Sequence, residues 1–148
     1  MGFIITVSVF LIMEFVAWFT HKYIMHGFLW SLHKSHHVKE SDSFFERNDF
    51  FFLIFAIPGM LFTLSGALNH GDWKLYAGIG ITLYGLCYFL VHDVFIHQRF
   101  PWLKRTDNAY FRAIRKAHKV HHKTQGKYGS ESFGMLIVAA KYFRNTSF

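Results

Sequence analysis

Ten of the eleven histidines fall into four clusters: His21-x4-His26, His33-x2-His36-His37, His92-x4-His97 and His118-x2-His121-His122. The same two patterns occur twice, in the same order, and core packing requires neither the doublets nor the repeat. Imidazole nitrogen suits iron, zinc, copper and nickel. On a helix, positions i, i+3 and i+4 share one face, so each H-x-x-H-H run is expected to aim three imidazoles at one point. Ten imidazoles exceed what one ion accepts, and two ions of about five ligands each is the natural division. The eleventh histidine, His70, stands alone and is read as a surface or packing residue.

The H-x4-H pairs carry a geometric condition. At 3.6 residues per turn, residues five apart differ by about 140°, so a straight α-helix cannot aim both at one point. Each helix must end between its two histidines or just after the second. Gly27 follows His26 directly and Pro101 comes four residues after His97, both of which are stop signals.

Three apolar stretches position these clusters: Phe3 to Thr20, Phe50 to Leu68 and Leu75 to Val91. Each approaches the roughly 20 residues needed to cross about 30 Å of hydrocarbon. The first has no basic leader and no small-residue cleavage site, and is expected to be retained as an anchor. Pro58, with Gly59 beside it, is expected to kink the second. Only Asn69-His70-Gly71-Asp72 separates spans two and three, so they form an antiparallel hairpin. Spans one and three then leave the bilayer on one side, and each is followed by an H-x-x-H-H run. All ten histidines are thereby expected at one membrane face. That face also carries fifteen of the sixteen Lys and Arg residues against seven acids, a net charge of +8, and the positive-inside rule makes it cytoplasmic. Ala109 to Lys123 has Phe111, Ile114, Ala117 and Val120 at helical spacing among bases, as in an amphipathic helix along that surface. Phe133 to Phe143 is too short to span, and reads equally as an interfacial segment or a helix packed on the cap.

The expected fold is an all-α integral-membrane bundle of about three spanning helices with a histidine-rich cap, residues 1–148 forming one domain. Composition agrees: 52% of the residues are hydrophobic and 20% aromatic. The single cysteine, Cys87, excludes a disulfide framework, a four-cysteine zinc site and an intrinsic iron–sulfur cluster. No dinucleotide fingerprint or haem motif is present, and Gly78-Ile-Gly80 lies within a span as a close-packing element. The formal charge of +7 is not interleaved with any nucleic-acid module, and no nucleic-acid partner is expected. Two carboxylates adjoin the clusters. Glu14 lies two turns deeper than His21 on the same face, placed either to support a ligand or to make a buried structural hydrogen bond. Asp93 adjoins His92 and can orient that ring or pair with Arg99 or Arg105.

The runs His21-Lys-Tyr-Ile-Met-His26-Gly27, Leu32-His-Lys-Ser-His-His37, Val91-His-Asp-Val-Phe-Ile-His-Gln-Arg-Phe-Pro101, Ala117-His-Lys-Val-His-His122 and Ser132-Phe-Gly134 resemble the signatures of the membrane fatty acid hydroxylase superfamily. The residues between the histidines are similar to its bacterial β-carotene hydroxylase branch. The resemblance implies a non-haem centre of two iron ions, which zinc can replace in a purified sample, held by His21, His26, His33, His36, His37, His92, His97, His118, His121 and His122. It implies hydroxylation by O2 at carbon 3 of β-ionone rings in the bacterial inner membrane, with electrons from a reduced ferredoxin and its NAD(P)H-dependent reductase. A methylene without an acidic proton demands redox chemistry, so no acid or base beyond the ligand set is needed. A substrate dissolved in membrane lipid would enter sideways, and Phe15, Trp18, Phe19, Phe50, Phe51, Phe89 and Phe95 are channel candidates by position. The same site acting on a fatty acyl chain or sterol is the nearest rival. A non-catalytic membrane metal-binding protein is the other, and it would place polar groups along a path across the bilayer.

Overall fold

The computed structural model describes residues 1–38 and 43–144; Lys39, Glu40 and Asp42, counted in the charge balance above, lie outside the described residues. Helix α1 spans Gly2–Phe19 and continues as a π-helical stretch, Thr20–Phe28. Helix α2 follows at Trp30–His37, then a short 3-10 turn, Arg47–Asp49, then α3, Phe50–Leu68. Helix α4, Trp73–Tyr88, likewise passes into a π-helical stretch, Phe89–Ile96, and α5 is Ala109–His121. Among the described residues there is no strand. Three of these segments are long and apolar enough to cross a membrane: Gly2–Phe28, Arg47–Leu68 and Trp73–Ile96.

Helix α3 continues through Pro58 without a break. The hairpin with α4 turns at His70 and Gly71, both at positive φ (56° and 79°), and Asp72 caps α4 by accepting the Lys74 N–H at 2.9 Å. Close packing relies on missing side chains: a methyl group at Gly78 would strike Thr63 of α3, and one at Gly80 would lie 2.7 Å from the Thr6 carbonyl of α1. Their outer faces remain apolar and exposed, as at Leu11, Phe15, Phe52 and Leu61.

Helix α5 starts at Asn108, whose side chain accepts the Tyr110 and Phe111 N–H groups. Its stripe packs on protein: Ile114 joins Val91, Phe95, Ile96 and Met135, while Ala113 and Ala117 receive Tyr142. Arg115 fastens the helix, donating to the carbonyls of Phe95 and Lys104 at 2.8 Å each and of Leu103 at 3.1 Å. The Phe133 to Phe143 stretch packs on the cap without forming a regular helix. Phe133, Met135 and Tyr142 are buried against the cap, and only Ala140–Tyr142 forms a 3-10 turn. Glu14 holds this segment. One of its carboxylate oxygens accepts the N–H groups of Met135, Leu136 and Ile137 (2.9, 2.8 and 3.0 Å), and the other accepts the Tyr84 hydroxyl at 2.7 Å.

Candidate metal centre

Both H-x4-H pairs converge by a route that α-helical geometry denies them. His21 and His26 lie within one π-helical stretch, and His92 lies within the other with His97 as its C-cap; i→i+5 hydrogen bonding widens the turn and stacks residue i over residue i+5. The His97 N–H donates to the His92 carbonyl at 2.9 Å, and the ring centroids stand 4.5 Å apart. The His21 and His26 rings are 5.1 Å apart. The first stretch leaves helical geometry just after its pair, at Gly27 (φ −106°, ψ −123°), and the second ends at His97 itself.

The histidines form two groups, in each of which one ligand atom per residue lies within 4.8 Å of all the others: His21, His26, His33, His37 and His121; and His36, His97, His118 and His122. His92 adjoins the second, its Nε2 3.0 Å from that of His36. The expectation that each H-x-x-H-H run serves one point therefore needs correction. Positions i and i+4 stay with their own half, but the i+3 residue crosses over: His36 joins the histidines of the second half and His121 those of the first. The reason is angular. Residues i and i+4 differ by about 40° around the helix, whereas i+3 stands about 100° from i+4 and points past the first group toward the second. His37 and His122 stack where the halves meet, 4.3 Å apart and within 13° of parallel.

The donor chemistry fits metal. His21, His26 and His121 direct Nδ1 to the carbonyls of Phe133, Gln125 and Glu131 (2.9, 3.1 and 2.9 Å), and His33 to the Asn48 side-chain oxygen at 2.6 Å. His36 directs Nδ1 to Glu46 at 3.0 Å and His92 to Asp93 at 3.4 Å. Carbonyl and carboxylate oxygens only accept, so these six Nδ1 atoms carry the proton and each Nε2 presents a bare lone pair. Around them His37, His97, His118 and His122 hold Nε2 2.8–3.2 Å from a neighbouring Nε2, and within the six the bare Nε2 atoms face one another at 3.1 Å (His21 and His33; His26 and His121) and 3.0 Å (His36 and His92). Lone pairs that close repel unless a cation lies between them. Nitrogens about 2.1 Å from one ion stand roughly 3 Å apart when adjacent, which is the spacing observed.

Burial reinforces the neutral state. Loss of solvent pushes the His33 imidazole down to about 3, opposed by its Asn48 hydrogen bond, and pushes His121 down to about 3 and His122 to about 4, neighbouring imidazoles adding to the effect. An unfolded histidine titrates near 6.5, so below that pH the unfolded chain binds protons that the fold refuses. Stability of the metal-free protein is therefore fully present above about pH 6.5 and declines below it, by up to about 1.4 kcal/mol per pH unit for each of the fully buried His33 and His121. Thermal unfolding of metal-free protein in detergent at about pH 7.5 and about pH 5.5 checks this; equal midpoints would contradict it.

Of the two flanking carboxylates, Asp93 both approaches His92 and pairs with Arg99 Nε at 3.4 Å, so the alternatives coexist. Glu14 makes the structural hydrogen bonds described above and reaches the site only through the segment that supplies the Phe133 carbonyl to His21. Among the channel candidates, Phe51 is buried 6.2 Å from the His33 ring. Phe95 is buried against Phe111 and under the Arg115 guanidinium. Phe15, Phe19, Phe50 and Phe89 are exposed on the apolar surface, and Trp18 stacks on Phe15. Sequence reasoning missed Glu46 and Asn48 as imidazole partners, and missed Trp30 and Tyr88, which lie 5.1 Å from His26 and 4.8 Å from His92. The Glu46-x-x-Asp49 capping box, in which Asp49 accepts the Glu46 N–H at 3.0 Å, was the available signal that this loop is ordered. His70 is exposed in the α3–α4 turn, at the far end of the hairpin from both groups.

A helical membrane bundle that ends in two converging histidine groups able to hold metal is the class this fold and site define. The chain belongs to the fatty acid hydroxylase family, whose model matches residues 6–145. It is 43% identical over 129 residues to the beta-carotene hydroxylase of Pseudescherichia vulneris, covering 85% of this chain and 70% of that protein. Identity to the beta-carotene hydroxylase of Pantoea ananas is 42% over 127 residues (85% and 71%), and to that of Paracoccus sp. (strain PC1) 40% over 138 residues (92% and 83%). No solved structure matches the chain.

Proposed function

We propose that this chain is a β-carotene 3-hydroxylase. It acts as one domain in a bacterial inner membrane and converts β-carotene to β-cryptoxanthin and then zeaxanthin. The reading is carried by one conjunction: imidazoles gather in two groups at the common end of the spanning helices, and the similar relatives named above are β-carotene hydroxylases. Two iron ions would be held by His21, His26, His33, His37 and His121 and by His36, His92, His97, His118 and His122. Iron in that site supplies, with O2, the redox chemistry that an unactivated ring methylene requires.

The protein's own part is to hold and shield. Six imidazoles have Nδ1 anchored, which fixes ring orientation and tautomer, and seven of the ten are buried, which keeps water from the reacting centre. A lipid-dissolved substrate enters laterally near Phe51, the candidate aromatic beside a ligand ring. The basic face supports a cytoplasmic orientation and attraction of an acidic electron carrier such as reduced ferredoxin, served in turn by an NAD(P)H-dependent reductase.

Expression in bacteria that accumulate β-carotene tests the reading. Zeaxanthin is expected with the native chain and absent with His36→Ala. A native protein that is inserted and metal-loaded yet leaves β-carotene untouched rejects the substrate in favour of another lipid, such as a fatty acyl chain or sterol, and lipid profiles of the same cells would identify it.

A further inference from the structure

The two histidine groups are alike in number but not in what stands behind their rings. In the first, the Nδ1 protons of His21, His26 and His121 go to backbone carbonyls and that of His33 to the amide of Asn48. All four acceptors are neutral. In the second, His36 donates to the Glu46 carboxylate at 3.0 Å and His92 lies 3.4 Å from the Asp93 carboxylate. Arg99 binds these acids into one unit, its guanidinium 3.2 Å from Glu46, 2.8 Å from Asp49 and 3.4 Å from Asp93. The two carboxylates come from opposite halves of the repeat, Glu46 from the turn before α3 and Asp93 from the second π-helical stretch. They meet because His36 has crossed to the second group and lies 3.0 Å from His92.

A carboxylate behind an imidazole makes the ring a stronger donor and places negative charge near a bound cation, whereas a carbonyl only orients it. We infer that the two metal positions are chemically unequal: the one held by His36, His92, His97, His118 and His122 binds its ion more tightly and holds it in the more electron-rich environment. This deepens the di-iron reading above and rests on it. Glu46 and Asp93 are positioning residues, acting through the imidazoles they face.

Iron release to a strong chelator, followed on the iron-reconstituted protein in detergent, reads the difference. The native protein is expected to lose one iron quickly and the other slowly. Glu46→Gln keeps a hydrogen-bonding oxygen behind His36 but removes the charge. It is expected to speed only the slow phase, by about 10- to 100-fold, the range typical of lost partners behind metal ligands. Asp93→Asn should act on the same phase. The converse variant, Asn48→Asp, puts a carboxylate behind His33 and is expected to slow the fast phase about tenfold while leaving the slow one unchanged. Mössbauer spectra of the same samples should show two iron environments, with Glu46→Gln moving one and Asn48→Asp the other. A single release phase in the native protein overturns the inference. So does a Glu46→Gln variant whose two phases change together or not at all, or an Asn48→Asp variant with native kinetics. A native protein that takes up fewer than two irons overturns the di-iron reading itself, before any variant is compared.

Discussion

Alanine at His36 or at His121 is expected to abolish hydroxylation and to empty the metal group belonging to the opposite half of the repeat. His36 lies in the first half but its Nε2 is 3.0 Å from that of His92, and its ring stands 4.2 Å from His97 and 4.8 Å from His122. His121 lies in the second half but its Nε2 is 3.1 Å from that of His26, and its ring is 4.5 Å from His21. Removing either takes a donor from one group and leaves the other complete. The expected result is about one ion retained per chain, with affinity for the second falling by more than about 100-fold, beyond the loss usual for a partner behind a ligand. Metal analysis of the two variants against the native protein decides the matter. If His36→Ala weakened the first group, together with His21 and His26, the crossed assignment would be wrong. If it retained both ions, His36 would not be a ligand.

That crossing marks the boundary of what the sequence could tell. The three spans were legible because runs of Phe, Leu, Ile and Val have no alternative home, and the hairpin because a four-residue connection of three polar residues and a glycine leaves no room for anything but a turn. The histidine set was legible from its doublets and its repeat. The grouping was not, because periodicity places i, i+3 and i+4 on one broad face without saying where the facing element sits. The H-x4-H spacing did contain its answer. An interval of five that is awkward for an α-helix matches the i→i+5 bond of a π-helix, and both pairs use it. Acceptors behind the rings were hidden for different reasons. Three are backbone carbonyls, which every residue possesses, and Asn48 and Glu46 lie in a connecting turn with no apolar pattern to orient them. The cap helix was legible as amphipathic from its spacing, but the partners of its apolar stripe, the second π-helical stretch and the C-terminal segment, were not.

Glu14→Ala is expected to destabilise the fold by roughly 3–5 kcal/mol, the range for leaving several buried polar groups without a partner. Four donors converge on this one side chain, and the three backbone N–H groups belong to consecutive residues, Met135, Leu136 and Ile137. Few water molecules reach a buried site between spanning helices, so those groups have no ready substitute acceptor. The segment is fitted to the carboxylate: Gly134 has no side chain, and a Cβ there would lie 2.7 Å from the Glu14 oxygen. Loosening it also withdraws the Phe133 carbonyl from His21 and unpacks the Phe133 ring from His21, His26 and His121. Loss of stability should therefore be accompanied by weaker metal retention in the first group, with the second affected less. Glu14→Gln is the discriminating control, since its amide oxygen can accept the same three N–H groups while its NH2 donates to the Tyr84 oxygen, at a cost of about 1–2 kcal/mol. Thermal unfolding of metal-free protein in detergent, paired with metal analysis, separates these outcomes. A Glu14→Ala protein as stable as the native one would mean that packing of Phe133 and Met135, and not the buried carboxylate, holds the C-terminal segment over the histidines.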